Sequence, residues 1–253
     1  MNPDIQKAGL FKRGSAYLLD IIMLAIVAVF AATCFSGLFR FDTRVLELEE
    51  CYLRFEQQFQ VDFDITEEQY NALPQEDQER FDQAYLAMSS DEETMTVYSS
   101  LILMTLGIIT CSMLAAFLLL EFVVPLLFKN GQTLGKKIFG VALMRPDCVK
   151  ISALSLFIRA ILAKFSIGTM IPVLLGLMML WGAVGIIAPV IILGLLVLQV
   201  ILTYKSEVNA TIQDRMAATV AVDFGSQLIF DTKEAMLAHK QRLEEDRAAR
   251  KAY

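Results

Sequence analysis

The chain has 253 residues, 56% of them apolar, and 28 acidic against 22 basic side chains give a formal charge of −6. A mean hydropathy of +0.53 is too high for an ordinary water-soluble domain, and the excess sits in blocks, as a polytopic membrane protein requires. One histidine, His239, leaves no His-based metal site or proton relay inside a membrane, and four scattered cysteines suggest no disulfide framework.

The N-terminal segment carries Lys7, Lys12 and Arg13 before the first apolar block, Gly14–Phe39. Arg13 and Asp20 are seven residues apart, about two helical turns, so a helix returns them to nearly the same face. From Ile21 to Phe39 there is no charge, a run long enough to cross a bilayer. A cleaved signal peptide has a shorter apolar core, and Ala31-Ala32-Thr33-Cys34 lacks the Leu and small residue of a lipoprotein site. The block therefore reads as a first span. A charge at the bilayer centre costs about 2.5–3.5 kcal/mol, which places Asp20 near a boundary.

Between Arg40 and Tyr98 acids far outnumber Arg40, Arg44, Arg54 and Arg80. Val45, Leu48, Tyr52 and Phe55 recur at helical spacing, and Thr66-Glu67-Glu68-Gln69 is a capping-box pattern. Pro74 opens a second helix, with Phe81, Tyr85 and Met88 as its apolar stripe. A solvated helical hairpin is expected. Asp62-Phe63-Asp64-Ile65-Thr66 looks toward calcium, but Glu67 replaces the turn glycine and Leu73 stands where a bidentate Glu belongs.

Ser99–Phe128 is the second apolar block, and Ser99–Leu120 alone can span, which leaves Glu121 at the depth of Asp20. The following loop reads Gly131-Gln132-Thr133-Leu134-Gly135-Lys136-Lys137-Ile138-Phe139-Gly140. Asn130 and Lys137 depart from a phosphate loop at two required positions, leaving a glycine turn with lysines at lipid headgroups. Val141–Met144 and Thr219–Val222 are strand-like and suited to pair. Leu154, Phe157, Ile158, Ile161, Leu162 and Phe165 form an amphipathic stripe, expected as an interfacial helix from which Arg159 and Lys164 snorkel.

Phe165–Tyr204 is about forty residues, roughly 60 Å as one helix, and must fold back near Trp181-Gly182-Ala183. Pro125, Pro172 and Pro189 are candidate bends that free backbone carbonyls. Gly168, Pro172, Gly176 and Gly182 make no clear small-residue stripe, so a homo-oligomer is left open. Asn209-Ala210-Thr211 matches a glycosylation sequon on the wrong side of the membrane. From Asp231 the tail is charge-rich, with Leu237 and Leu243 its meagre apolar face, and reads as a solvated helix. Cys34 and Cys111 fall in spans, Cys51 in the acidic insert and Cys148 in a turn, so all four are expected as free thiols.

The expected fold is an all-α polytopic membrane protein with four transmembrane helices, a helical extracytoplasmic insert and a small cytoplasmic β element. Basic loops stay cytoplasmic, and an even span count independently puts N- and C-termini on that side. The parts are 1–40, N-terminus and first span; 41–98, acidic insert; 99–224, the other spans and loop; and 225–253, the tail. No nucleophile with a neighbouring base is present, so neither an enzyme, a cofactor nor a metal is expected.

Three motifs together resemble the RDD family of small membrane proteins, named for one arginine and two aspartates. They are Arg13-Gly14-Ser15-Ala16-Tyr17-Leu18-Leu19-Asp20, the loop Gly131-Gln132-Thr133-Leu134-Gly135-Lys136-Lys137 with Gly140-Val141, and Gln213-Asp214-Arg215-Met216-Ala217-Ala218 running on to Val222. The resemblance covers roughly residues 8–224, interrupted by the insert. It implies transport of an unidentified ligand and makes Arg13, Asp20 and Asp214, with Gly131, Gln132, Thr133, Gly135, Lys136 and Gly140, the family-motif positions. Two residues depart from the pattern: Gln213 stands where the family has His, and Ala218 where it has Gly. The acids at span ends suggest that Asp20 and Glu121 line a vestibule for a cation or proton, with Arg13, Arg159, Lys164 and Asp214 in one layer. The partners implied are the bilayer of the plasma membrane and an ion or small solute; nothing points to nucleic acid. The competing reading is a membrane scaffold or assembly factor acting through the insert or tail.

Overall fold

A computed structural model describes residues 5–180, 185–206 and 210–251. The fold-back expected at 181–183 and the sequon asparagine, residue 209, lie outside the described residues. Among the described residues, four helical stretches are long and apolar enough to cross a membrane: Leu10–Leu38, Glu92–Phe128, Ala153–Met178 and Ile187–Tyr204. Their outward side chains, such as Ile26, Phe30, Leu103, Leu193 and Val200, are more than half exposed, a surface that only lipid solvates at low cost. The chain divides into two compact units, Val29–Ser112 and the remainder.

Within the smaller unit, α2 (Phe41–Phe59), α3 (Glu67–Ala72) and α4 (Gln75–Ser90) form the acidic helical segment. The capping box at Thr66 is formed in both directions, and Pro74 immediately precedes α4, as the sequence requires. α2 packs on α4 around Cys51, Phe55 and Ala84. Rings of Tyr52, Phe63, Phe81 and Tyr70 meet edge-on, with centroids 6.3, 5.4 and 5.2 Å apart along that series. Tyr85 departs from the expected stripe: it is exposed, and Ala84 takes the buried position instead. Asp62 accepts the amide of Asp64 at 2.8 Å, so this carboxylate closes its own turn.

The larger unit holds the first part of α1 (Leu10–Leu38), the end of α5 (Glu92–Phe117) and everything after it. α5 runs on through a π-helical stretch, Leu118–Val123, into α6 (Val124–Phe128). After the loop helix α7 (Leu134–Ile138) comes β1 (Val141–Met144), which pairs antiparallel with β2 (Val220–Asp223), Val141 opposite Asp223. Residues Gln6 to Ala8 add a further edge to β2 through a bridge at Lys7. Both faces of the ribbon are buried, Ala142, Met144 and Val222 on one and Val141, Leu143 and Ala221 on the other.

The stretch expected as a separate interfacial helix is instead the start of a long one. α8 (Ala153–Phe157) continues as a π-helix, Ile158–Met170, and then as α9 (Ile171–Leu180). Leu154, Phe157 and Leu162 of the expected apolar stripe are exposed, Phe165 is buried, and Leu156, Arg159, Ala160 and Ala163 are buried beside it. Both π-helical stretches end two residues before a proline, Val123 before Pro125 and Met170 before Pro172. A proline has no N–H for the carbonyl four residues back, which loosens the ladder upstream and admits the wider i→i+5 winding. Pro189, by contrast, lies in the first turn of α10 (Ile187–Tyr204), where the missing donor costs nothing. Phe117, Phe165 and Met170 close the helices together over Leu24, the two phenyl rings meeting at 5.4 Å. The chain ends with α11 (Ile212–Met216), β2 and the tail helix α12 (Lys233–Lys251), which buries Met236 and sets His239 against Phe230.

Candidate functional site

The loop motif is built around Asp20. Thr133 caps α7, and its hydroxyl donates to Asp20 Oδ2 at 2.5 Å, while the Gly135 amide donates to Oδ1 at 2.8 Å. Gln132 is buried and its side-chain amide donates to the Val141 carbonyl at 2.9 Å, tying the loop to β1. Gly131 and Gly140 occupy the left-handed region at φ +62° and +65°, where a side chain is strained. A Cβ at Gly135 would strike the Ala16 carbonyl oxygen and the Asp20 carboxylate, so only glycine lets α7 lie on α1. Each motif position thus has a local mechanical reason.

Asp214 is the second acidic anchor, 1% exposed. Its Oδ2 accepts from Arg13 at 3.0 Å and from the amide and hydroxyl of Thr211 at 2.9 and 2.7 Å. Its Oδ1 pairs with Arg159, whose guanidinium also donates to the Thr219 hydroxyl at 2.9 Å. Burial alone would raise the Asp214 pKa, but the Arg159 and Arg13 guanidinium groups outweigh it and hold the carboxyl down at about 2. Arg13 therefore answers Asp214 rather than Asp20, its neighbour two turns along α1.

Glu121 is the third. It lies in the π-helical stretch before Pro125, the residue four positions back from that proline, and pairs with Lys164. Lys136 stands between the acids, 3.7 Å from Asp20 Oδ2 and 3.9 Å from Glu121 Oε2. Burial lowers the Lys136 pKa; Glu121 and Asp20 oppose that, and Lys164 and Arg159 add to it. Lys164 also lies over the Tyr17 ring, 5.2 Å from its centroid.

Arg159 and Lys164 do not snorkel outward as expected; their side chains are only 10% and 12% exposed. The π winding explains this. Five residues turn an α-helix by about 500°, which leaves i and i+5 roughly 140° apart, whereas i→i+5 bonding brings them to one side. Glu121, Arg159 and Lys164 all come from such stretches.

These groups surround a cavity of about 410 Å³, lined by Arg13, Asp20, Glu121, Lys136, Arg159 and Lys164 with Tyr17, Gln199 and Gln213. Six of the charges that the sequence placed in one layer are therefore assembled within one unit, and Lys136 of the loop motif joins them. Gln199 was missed, although it is the one amide in the apolar run of α10. Its Nε2 donates to Gln213 Oε1 at 3.4 Å and its Oε1 accepts the Ile212 amide at 3.3 Å. Ala218, the other departure from the motif, has φ +50°, the conformation that favours glycine.

Four apolar helices bearing an ordered layer of buried ion pairs define a multi-pass type of membrane protein. Residues 7–218 match the model of the RDD family, and the chain belongs to that family. Comparison with curated proteins and with solved structures finds no match.

Proposed function

We propose that this protein moves an ion or small solute across the plasma membrane, with the charged cavity as its cytoplasmic vestibule. The observation that carries this reading is that buried ion pairs ring an open space of about 410 Å³. Charges that merely pin helices together pack against one another and need no cavity between them. The basic loop holding Lys129, Lys136, Lys137, Arg145 and Lys150 supports a cytoplasmic position for this end of the helices, both termini and the β ribbon. The same charge bias supports an extracytoplasmic position for the acidic segment 41–98.

Cation–proton exchange is the narrower form of the proposal. Asp20 and Glu121 would have to release their partners, because each carboxylate is already engaged by a cation or by hydrogen bonds. The same full pairing favours the second reading, a membrane scaffold whose charged layer serves assembly.

Proteoliposomes carrying a pH-sensitive dye, pulsed with sodium, potassium or lithium, and parallel vesicles given labelled small solutes, separate these cases. Saturable flux that Asp20→Asn and Lys164→Gln lose while remaining monodisperse is the expected result. Flux equal to empty vesicles in every arm would sink transport in favour of the scaffold.

A further inference from the structure

The cavity does not end at the charged layer. A second one of about 230 Å³ shares Tyr17, Lys164, Leu196, Gln199 and Gln213 with the first. Beyond these shared residues its walls are mostly apolar, with Ile167, Pro172, Ile192 and Leu195 between the helix that ends in α9 and α10. The charged compartment and the greasier one are thus neighbours with a common wall of Tyr17, Lys164, Leu196, Gln199 and Gln213.

Among the described residues, the cations Arg13, Lys136, Arg159 and Lys164 line the first cavity together with the acids Asp20 and Glu121, whereas Asp214 is not part of its lining. Four cations gathered on the wall of a poorly solvated cavity attract an anion strongly. A basic pocket between membrane helices that adjoins an apolar slot fits a charged head with a chain attached.

We propose that the adjoining cavities bind an anionic amphiphile, its head among Arg13, Lys136, Arg159 and Lys164 and its chain between the π-helical stretch Ile158–Met170 and α10. This names the solute class for the transport reading and rests on it only for the step of movement; binding stands on its own.

The test titrates purified full-length protein in nonionic detergent with phosphatidylglycerol, phosphatidylcholine or inorganic phosphate, read by native mass spectrometry and by thermal shift. One phosphatidylglycerol should bind saturably, at least about tenfold tighter than phosphatidylcholine. Lys136→Gln, which leaves the Glu121–Lys164 pair in place, should abolish that preference. Gly168→Phe, set in the apolar chamber where a Cβ meets only the Ala163 carbonyl at 3.6 Å, should weaken the lipid and not the phosphate response. Equal binding of the two lipids would overturn the proposal. So would full stabilisation by inorganic phosphate with no effect of Gly168→Phe, which would mean a head-group site without a chain. Lipid binding with no flux would retire the transport reading and leave this one; solute flux with no lipid binding would do the reverse.

Discussion

Gly135 and Asp20 are in direct contact: the glycine amide donates to the Asp20 carboxylate at 2.8 Å, and the glycine has no room for a side chain. Gly135→Ala would drive its methyl group into backbone as well as carboxylate. It is expected to cost about 2–3 kcal/mol, from overpacking plus a weakened charge-assisted hydrogen bond. Gly140→Ala, which meets no atom but sits at φ +65°, should cost about 1 kcal/mol, and Gly14→Ala almost nothing. Unfolding of the three variants in detergent checks the order.

Acid should weaken the fold through Asp214. Its pKa falls from 3.8 to about 2 on folding, so the unfolded chain binds the proton more readily. The contribution is complete above about pH 4 and is lost as the pH drops through about 2, on the order of 2 kcal/mol in all. Asp214→Asn should flatten this acid limb. At neutral pH the same change leaves Arg13 and Arg159 without their shared anion and should cost about 3–5 kcal/mol. Unfolding midpoints between pH 7 and 2.5 measure both effects.

Ala218 holds φ +50° in the turn between α11 and β2. Ala218→Gly relieves the left-handed strain at some cost in unfolded-chain entropy and should stabilise by about 0.5–1 kcal/mol. Ala218→Val should destabilise, since a β-branched residue tolerates that conformation worst. Thermal midpoints that rise for valine would contradict the strain argument.

Glu121 and Lys164 should behave as one unit. Glu121→Leu strands Lys164 and should cost about 3–5 kcal/mol; Lys164→Met leaves Glu121 with Lys136 at 3.9 Å and should cost less. The double variant should cost less than the two together, with a coupling of about 1–3 kcal/mol. Additive losses would mean that the two side chains are independent in the folded protein.

Much of this was legible in the residues. Uncharged runs of bilayer length mark the spans, the capping box at Thr66 and Pro74 mark helix starts, and short apolar runs mark both strands. Each is a short-range signal. Gln199 was legible in principle, since one amide in eighteen otherwise apolar or hydroxyl-bearing residues needs a partner. The partner of Arg13 was not. Helical spacing paired it with Asp20, whereas the structure joins it to Asp214, 201 residues away.

The sequence by itself determined the membrane class, the approximate spans, the ribbon and the family, because hydropathy over about twenty residues and ordered motifs are properties of the chain alone. Only the tertiary structure decided which charges meet and that they enclose a cavity. Two prolines replace the i→i+4 ladder by π winding upstream of them, which turns Glu121, Arg159 and Lys164 inward. Regular α-helical winding would leave Arg159 and Lys164 roughly 140° apart, so the outward snorkelling expected of them is replaced by burial on one side.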